Sequence, residues 1–139
     1  MKMSTKGRYA LRLAIDIAQQ EGASNTPVSL REASERQGIS VKYLEQLAGQ
    51  MTRGGILKST RGAHGGYSLS RPADQVSAGD ILRACEGGTA PVACLEDGFG
   101  ICPRRNECET LSFWEGLDKV IDSYVNSVSL ADLASEPVD

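Results

Sequence analysis

The chain contains a single histidine among its 139 residues, no internal repeat or low-complexity segment, and no apolar run approaching a membrane span. A helix that crosses a bilayer needs about 18 or more consecutive apolar residues, so a membrane-spanning role is excluded. The start, Met1-Lys2-Met3-Ser4-Thr5, also lacks the apolar segment and small-residue cleavage site of a secretory signal. The chain therefore reads as a soluble cytoplasmic protein without a membrane partner. Nothing in it forms a phosphate-cradling glycine loop or pairs a carboxylate with a histidine. A redox or metal-dependent enzyme, which the cysteines could otherwise suggest, thus lacks its partner base.

At 139 residues there is room for one compact core plus an appended element. The net charge of -3 conceals an asymmetry. Residues 1–73 carry eleven Lys/Arg against five Asp/Glu, or +6, whereas residues 74–139 carry four against thirteen, or -9. A basic half joined to an acidic half points to a polyanion-binding module beside one with another task. All four cysteines, Cys85, Cys94, Cys102 and Cys108, lie in the acidic half, three of them within fifteen residues. In a reducing cytosol such a cluster reads as a metal, iron–sulfur or thiol-redox site rather than a structural disulfide.

Along the chain, Ser4 and Thr5 can cap a first helix with Ala10, Leu13, Ala14 and Ile17 at helical spacing, ending near Gly22. Ser29-Leu30-Arg31-Glu32 has the form of a capping box and starts a short second helix reaching about Gln37. Gly38 suits a left-handed stop, and Ser40 caps a third helix with Leu44, Leu47, Ala48 and Met51 inward. Residues 56–59 and 67–69 read as strands around the basic, glycine-rich tip Thr60 to Gly66, and Ser77 caps a helix running to about Glu86. From Gly87 to about Glu107 no periodicity survives. From about Thr110, Trp114, Leu117, Ile121, Tyr124 and Val128 step by 3, 4, 3 and 4, the spacing of a coiled-coil seam, with Phe113, Val120 and Val125 widening the stripe. A frayed tail is expected after Leu133.

The fold expected is mainly α with a small β-hairpin wing: a winged helix-turn-helix followed by a long C-terminal dimerisation helix. Its divisions are a DNA-binding domain at 1–86, a cysteine-bearing sensor loop at 87–109, and a dimerisation helix with C-terminal extension at 110–134. In such a fold the third helix enters the major groove of double-stranded DNA. Ser40, Lys42, Tyr43, Glu45 and Gln46 are then the candidates for base edges, with Glu45 able to accept from cytosine and Gln46 able to pair with adenine. Ser4, Thr5, Lys6 and Arg8 at the first helix start suit phosphates, and Arg61 on the wing suits a narrow minor groove. His64, also on the wing, reads as a surface or phosphate-facing residue.

Three stretches, Ser4 to Ala10, Ile39 to Leu47 and Ser59 to Leu69, closely resemble the IscR, NsrR and CymR regulators of the Rrf2 family, and the similarity runs nearly end to end. The resemblance implies a homodimer that binds a roughly palindromic operator, and a transcriptional regulator expected to act as a repressor. It also implies DNA-reading roles for Ser40, Tyr43, Glu45 and Arg61. Cys94, Cys102 and Cys108 look like the three-cysteine motif of the iron–sulfur members, implying a 2Fe–2S cluster; the mechanism expected is that its binding, loss or oxidation reorders the loop from Gly87 to Glu107 and shifts the dimer helices. Such a centre takes four protein ligands. Where some relatives carry a ligating histidine or acid, this chain has Leu111 and Arg8, so Cys85, Asp97, Glu107 and Glu109 are the candidates for the fourth position. Zinc, a thiol switch and no cofactor are the other readings. Some members of the family instead answer to a protein, so a metabolic enzyme is a further candidate partner.

Overall fold

The computed structural model describes residues 2–135. Helix α1 spans Thr5–Ser24 and is capped by Ser4, whose hydroxyl accepts from the Gly7 amide. It outruns its expected end at Gly22 because Asn25 adopts the left-handed conformation (φ 53°) and supplies the stop itself. Helix α2, Leu30–Gln37, is capped by Ser29, and Gly38 (φ 67°) ends it as expected. A side chain at position 38 would be strained in that conformation, so the turn depends on glycine. Helix α3, Val41–Arg53, starts one residue later from the Ser40 cap.

The hairpin pairs β1, Leu57–Thr60, with β2, Gly66–Leu69, in antiparallel register, Leu57 opposite Leu69. The sequence pattern did not announce its extension: Val28 bridges Tyr67 through two backbone hydrogen bonds of 2.9 and 2.8 Å, which ties the wing root to the segment before α2. Helix α4, Ala78–Glu86, begins with a complete capping box between Ser77 and Asp80. Residues from Gly87 onward hold only two short 3-10 turns before α5, Leu111–Ser127.

One apolar core joins α1, α2, α3, the hairpin and α4 through Leu13, Ile17, Ala33, Leu44, Leu47, Met51, Leu57 and Ile81, all essentially sealed from solvent. Leu130 belongs to the same core. The C-terminal helix α6, Leu130–Ser135, therefore returns to the winged half instead of extending from it. Ser129 and Asp132 cap it reciprocally, the Leu130 amide donates to the Val76 carbonyl at 2.7 Å, and Gln19 of α1 donates to the Ala134 carbonyl. This corrects the expected frayed tail for residues 134–135. Residues 136–139 lie outside the described residues.

Candidate nucleic-acid interface and cysteine loop

The first turn of α3 is fixed by its cap, since Ser40 Oγ accepts from the Tyr43 amide at 3.2 Å. Lys42 on that turn and Glu45 and Gln46 just beyond it are exposed, while Tyr43 is half-buried with its ring edge-on to Tyr9, centroids 5.8 Å apart. Lys6 of α1 shares a cleft with Glu45, Gln46, Gly49, Gln50 and Arg53, so the start of α1 and the outer face of α3 form one continuous surface. Gln50 escaped the sequence reading although it lies one turn beyond Gln46. Its Oε1 is buried without a hydrogen-bond partner. Arg61 and His64 are exposed on the wing, and His64 lines a second cleft with Arg31, Glu32 and Glu35 of α2.

The start of α1 departs from expectation in one respect. Glu86, the last residue of α4, places its Oε1 2.8 Å from the Gly7 amide and also receives the Ser4 hydroxyl. A Cβ at position 7 would lie 2.5 Å from that oxygen, so the approach requires glycine. An anionic group thus already occupies part of the helix end that was assigned to phosphate. Thr5, Lys6 and Arg8 remain outward: Arg8 donates to Thr5 Oγ1 at 3.2 Å, and neither cation joins a salt bridge among the described residues.

The cysteines separate into two kinds. Cys85 is 3% exposed inside the core, and burial pushes its thiol up to about 11, with Glu86 adding to the rise and Lys6 opposing it. It packs in the core as a small apolar side chain. Cys94 and Cys102 are partly covered and Cys108 is exposed. A hydrogen bond with the Thr110 hydroxyl, 3.5 Å away, holds the Cys108 thiol below its ordinary range, helped by nearby backbone amides and Arg104. Asp97, Glu107 and Glu109 are exposed. Among the described residues no three His, Cys, Asp or Glu side chains come together as a metal-binding group. Cys94, Cys102 and Cys108 thus do not stand together as one such group.

Helix α5 buries none of its side chains fully. Its apolar stripe divides in two. Ile121 and Val125 line a cleft with Lys2, Met3 and Glu86, and Trp114 is half-covered with Phe113 edge-on beside it. On the other side Phe113, Val120 and Tyr124 are 64%, 66% and 68% exposed, with half-buried Leu117 between them. Phe113, Leu117, Val120 and Tyr124 step by 4, 3 and 4, so the more open side of the stripe has seam spacing of its own. Val128 is not part of the helix. It stands past the helix end in extended conformation, and its carbonyl accepts from the Ala78 amide at 2.8 Å. Arg83 of α4 reaches Asn126 at 2.8 Å and Asp122 at 3.6 Å, fastening α5 to the winged half from the same side.

Comparison with known proteins bears on both regions. The Rrf2 family profile, described as "Iron-dependent Transcriptional regulator", matches residues 3–136. Protein rrf2 of Nitratidesulfovibrio vulgaris is 42% identical over 133 residues, covering 96% of this chain and 87% of the relative. The structure of CymR, the global cysteine regulator of B. subtilis, superposes with a TM-score of 0.78 at 37% identity, covering 99% of both chains. That of T. potens IscR superposes with a TM-score of 0.74 at 36% identity, covering 100% of this chain and 94% of the other.

Proposed function

Because the chain belongs to the Rrf2 family of transcriptional regulators, we propose that it reads a two-fold operator as a homodimer and represses transcription from it. The observation that carries this reading is the surface on which Ser40, Lys42, Glu45 and Gln46 of a firmly capped helix stand beside Lys6, with Arg61 on the adjacent wing. Cations there neutralise phosphates and set register, whereas Glu45 and Gln46 choose among base edges. One winged module covers one half-site, and two half-sites lie about 34 to 36 Å apart. A dimer is therefore needed, and the exposed seam of Phe113, Leu117, Val120 and Tyr124 supplies the apolar face for a second copy. The protein works where the chromosome is, in the cytoplasm. Selection of duplexes from a random-sequence pool tests the reading. A recovered consensus with two-fold symmetry supports it, and failure to enrich any sequence overturns it.

The signal enters, in this reading, through Cys94, Cys102 and Cys108. What supports this is their spacing, their accessibility, and a loop with little regular structure that follows directly on Glu86, the residue that touches the start of α1. A change at the thiols reorders the loop, shifts Glu86, and so alters the phosphate-facing end of α1. An iron–sulfur cluster or a zinc ion would supply that change by coordination, and a thiol switch would supply it by oxidation. The test is the absorbance of protein purified without oxygen, with iron, sulfide and zinc analysis, repeated after serine replaces each of the three. Visible absorbance with iron and sulfide in stoichiometric amount, lost equally in all three variants, supports coordination. Absence of both colour and metal overturns coordination and leaves a thiol switch or a protein partner as the signal.

A further inference from the structure

A chain of polar contacts runs from the core to the recognition helix, and neither the family nor the DNA reading assigns it a role. It begins at Asp16, which is 2% exposed and the only charged side chain buried in the core among the described residues. A buried carboxylate must be paired and hydrogen-bonded to be tolerated. Asp16 meets that demand with α2: Arg36 donates from Nε at 2.9 Å and Nη2 at 2.8 Å, and Gln37 donates from Nε2 at 3.0 Å. Hydrogen bonding to Asp16, against a smaller opposing effect of burial, raises the Arg36 guanidinium above its already high ordinary value.

Gln37 is thereby fixed at the last position of α2, and it in turn fixes Arg12. Arg12 Nε donates to Gln37 Oε1 at 3.2 Å and its Nη2 donates to the Gln37 carbonyl. The guanidinium lies 5.3 Å over the Tyr9 ring, and Tyr9 presses edge-on against Tyr43 at an interplanar angle of 76°. The chain ends on the first turn of α3, the turn whose cap is Ser40, which carries Lys42 and leads directly into Glu45 and Gln46.

We propose that Tyr9 and Arg12 are positioning residues for DNA recognition, holding Tyr43 and with it the first turn of α3 in the rotation that presents Glu45 and Gln46 to base edges. The proposal rests on the DNA reading above. Its physical basis is a division of labour between two kinds of contact on the same helix. Leu44, Leu47, Ala48 and Met51 seat α3 on the core and set its rotation coarsely, as a one-sided apolar stripe does, while contacts of defined geometry can set it more finely. Edge-to-face aromatic pairs and cation–π contacts have preferred geometries, and these lie at the rim, on the turn that faces the groove.

The test uses the full chain and a duplex selected by the wild-type protein, compared with a scrambled duplex of the same length. Tyr9→Leu and Arg12→Met should each lower affinity for the selected duplex by about tenfold while leaving affinity for the scrambled one within about twofold, so the ratio falls. Tyr9→Phe keeps the ring and should restore the ratio. The slope of affinity against salt should stay unchanged in Arg12→Met, because a positioning residue neutralises no phosphate. A slope reduced by about one makes Arg12 a direct phosphate contact and overturns the proposal. Equal loss on both duplexes, or loss that simply tracks a fall in Tm, overturns it as well and leaves only a structural role. Should the wild-type chain select no duplex, the DNA reading fails and takes the proposal with it.

Discussion

The winged half and helix α5 are both helical and both rich in apolar residues, yet one closes on itself and the other does not. Helices α1 to α4 each start at a serine cap and each bury at least one side chain in a common core. Helix α5 has no side-chain cap and buries none, although it is 17 residues long and carries Phe113, Trp114, Leu117, Val120, Ile121 and Tyr124. A stripe that wide left in water marks an interaction surface rather than a surface in its final state. The first region is completed by its own sequence; the second keeps an open apolar face, which the proposed homodimer would cover.

The sharpest way to separate them is to damage each core in turn. Leu47 is sealed in the winged half, so Leu47→Ala should cost about 2–5 kcal/mol in denaturant unfolding without changing the association of the folded protein. Asp16→Ala belongs to the same half. Removing one partner of a buried pair costs about 3–5 kcal/mol, and Arg36, at 34% side-chain exposure, keeps some water and brings the expected loss to the low end.

Changes on α5 should behave in the opposite way. Val120→Asp combined with Tyr124→Asp should dissociate the dimer in sedimentation and lower operator affinity by more than about tenfold, because one module then covers one half-site. Unfolding of the monomer should scarcely change, since both positions face solvent within one chain. A double variant that stays a tight dimer moves the interface to another face.

Smaller effects probe the junction at α4. Ser77→Ala removes the cap that accepts from the Asp80 amide at 3.0 Å and should cost about 1 kcal/mol in thermal unfolding. Burial acts to raise the Asp80 carboxyl, but hydrogen bonds from the Ser77 amide and hydroxyl, with Arg71 and Arg83 alongside, outweigh it and leave the group below its ordinary range. Its stabilisation is therefore full above the ordinary carboxylate value and disappears as pH falls through the lowered one. The Tm difference between wild type and Asp80→Asn should shrink over that acidic window and stay level at neutral pH.

The same contrast explains which parts were legible in the sequence. Caps, glycine stops and apolar spacing are local, so the elements of the winged half fall within a residue or two of where Ser29, Gly38, Ser40 and Ser77 put them. What was not legible depends on distant partners. Glu86 reaching the Gly7 amide, Val28 pairing with Tyr67, and Leu130 returning to the core are all contacts between residues far apart in sequence. Helix α5 shows the ambiguity most directly. Its stripe of apolar residues has two faces, and periodicity could not say that Ile121 and Val125 turn toward their own subunit while Phe113, Val120 and Tyr124 turn away. Val128 has the right spacing for the seam, but the helix ends before it. Cys85 was one of four similar residues until its burial set it apart.

The most direct test is the affinity of the full chain, across a range of salt, for a selected two-fold duplex and for the same duplex with one half-site scrambled. The account predicts a steep loss with salt, log affinity falling about 0.9 for each phosphate contact per decade, and far weaker binding to the halved site. Equal affinity for both duplexes, or affinity indifferent to salt, would contradict it.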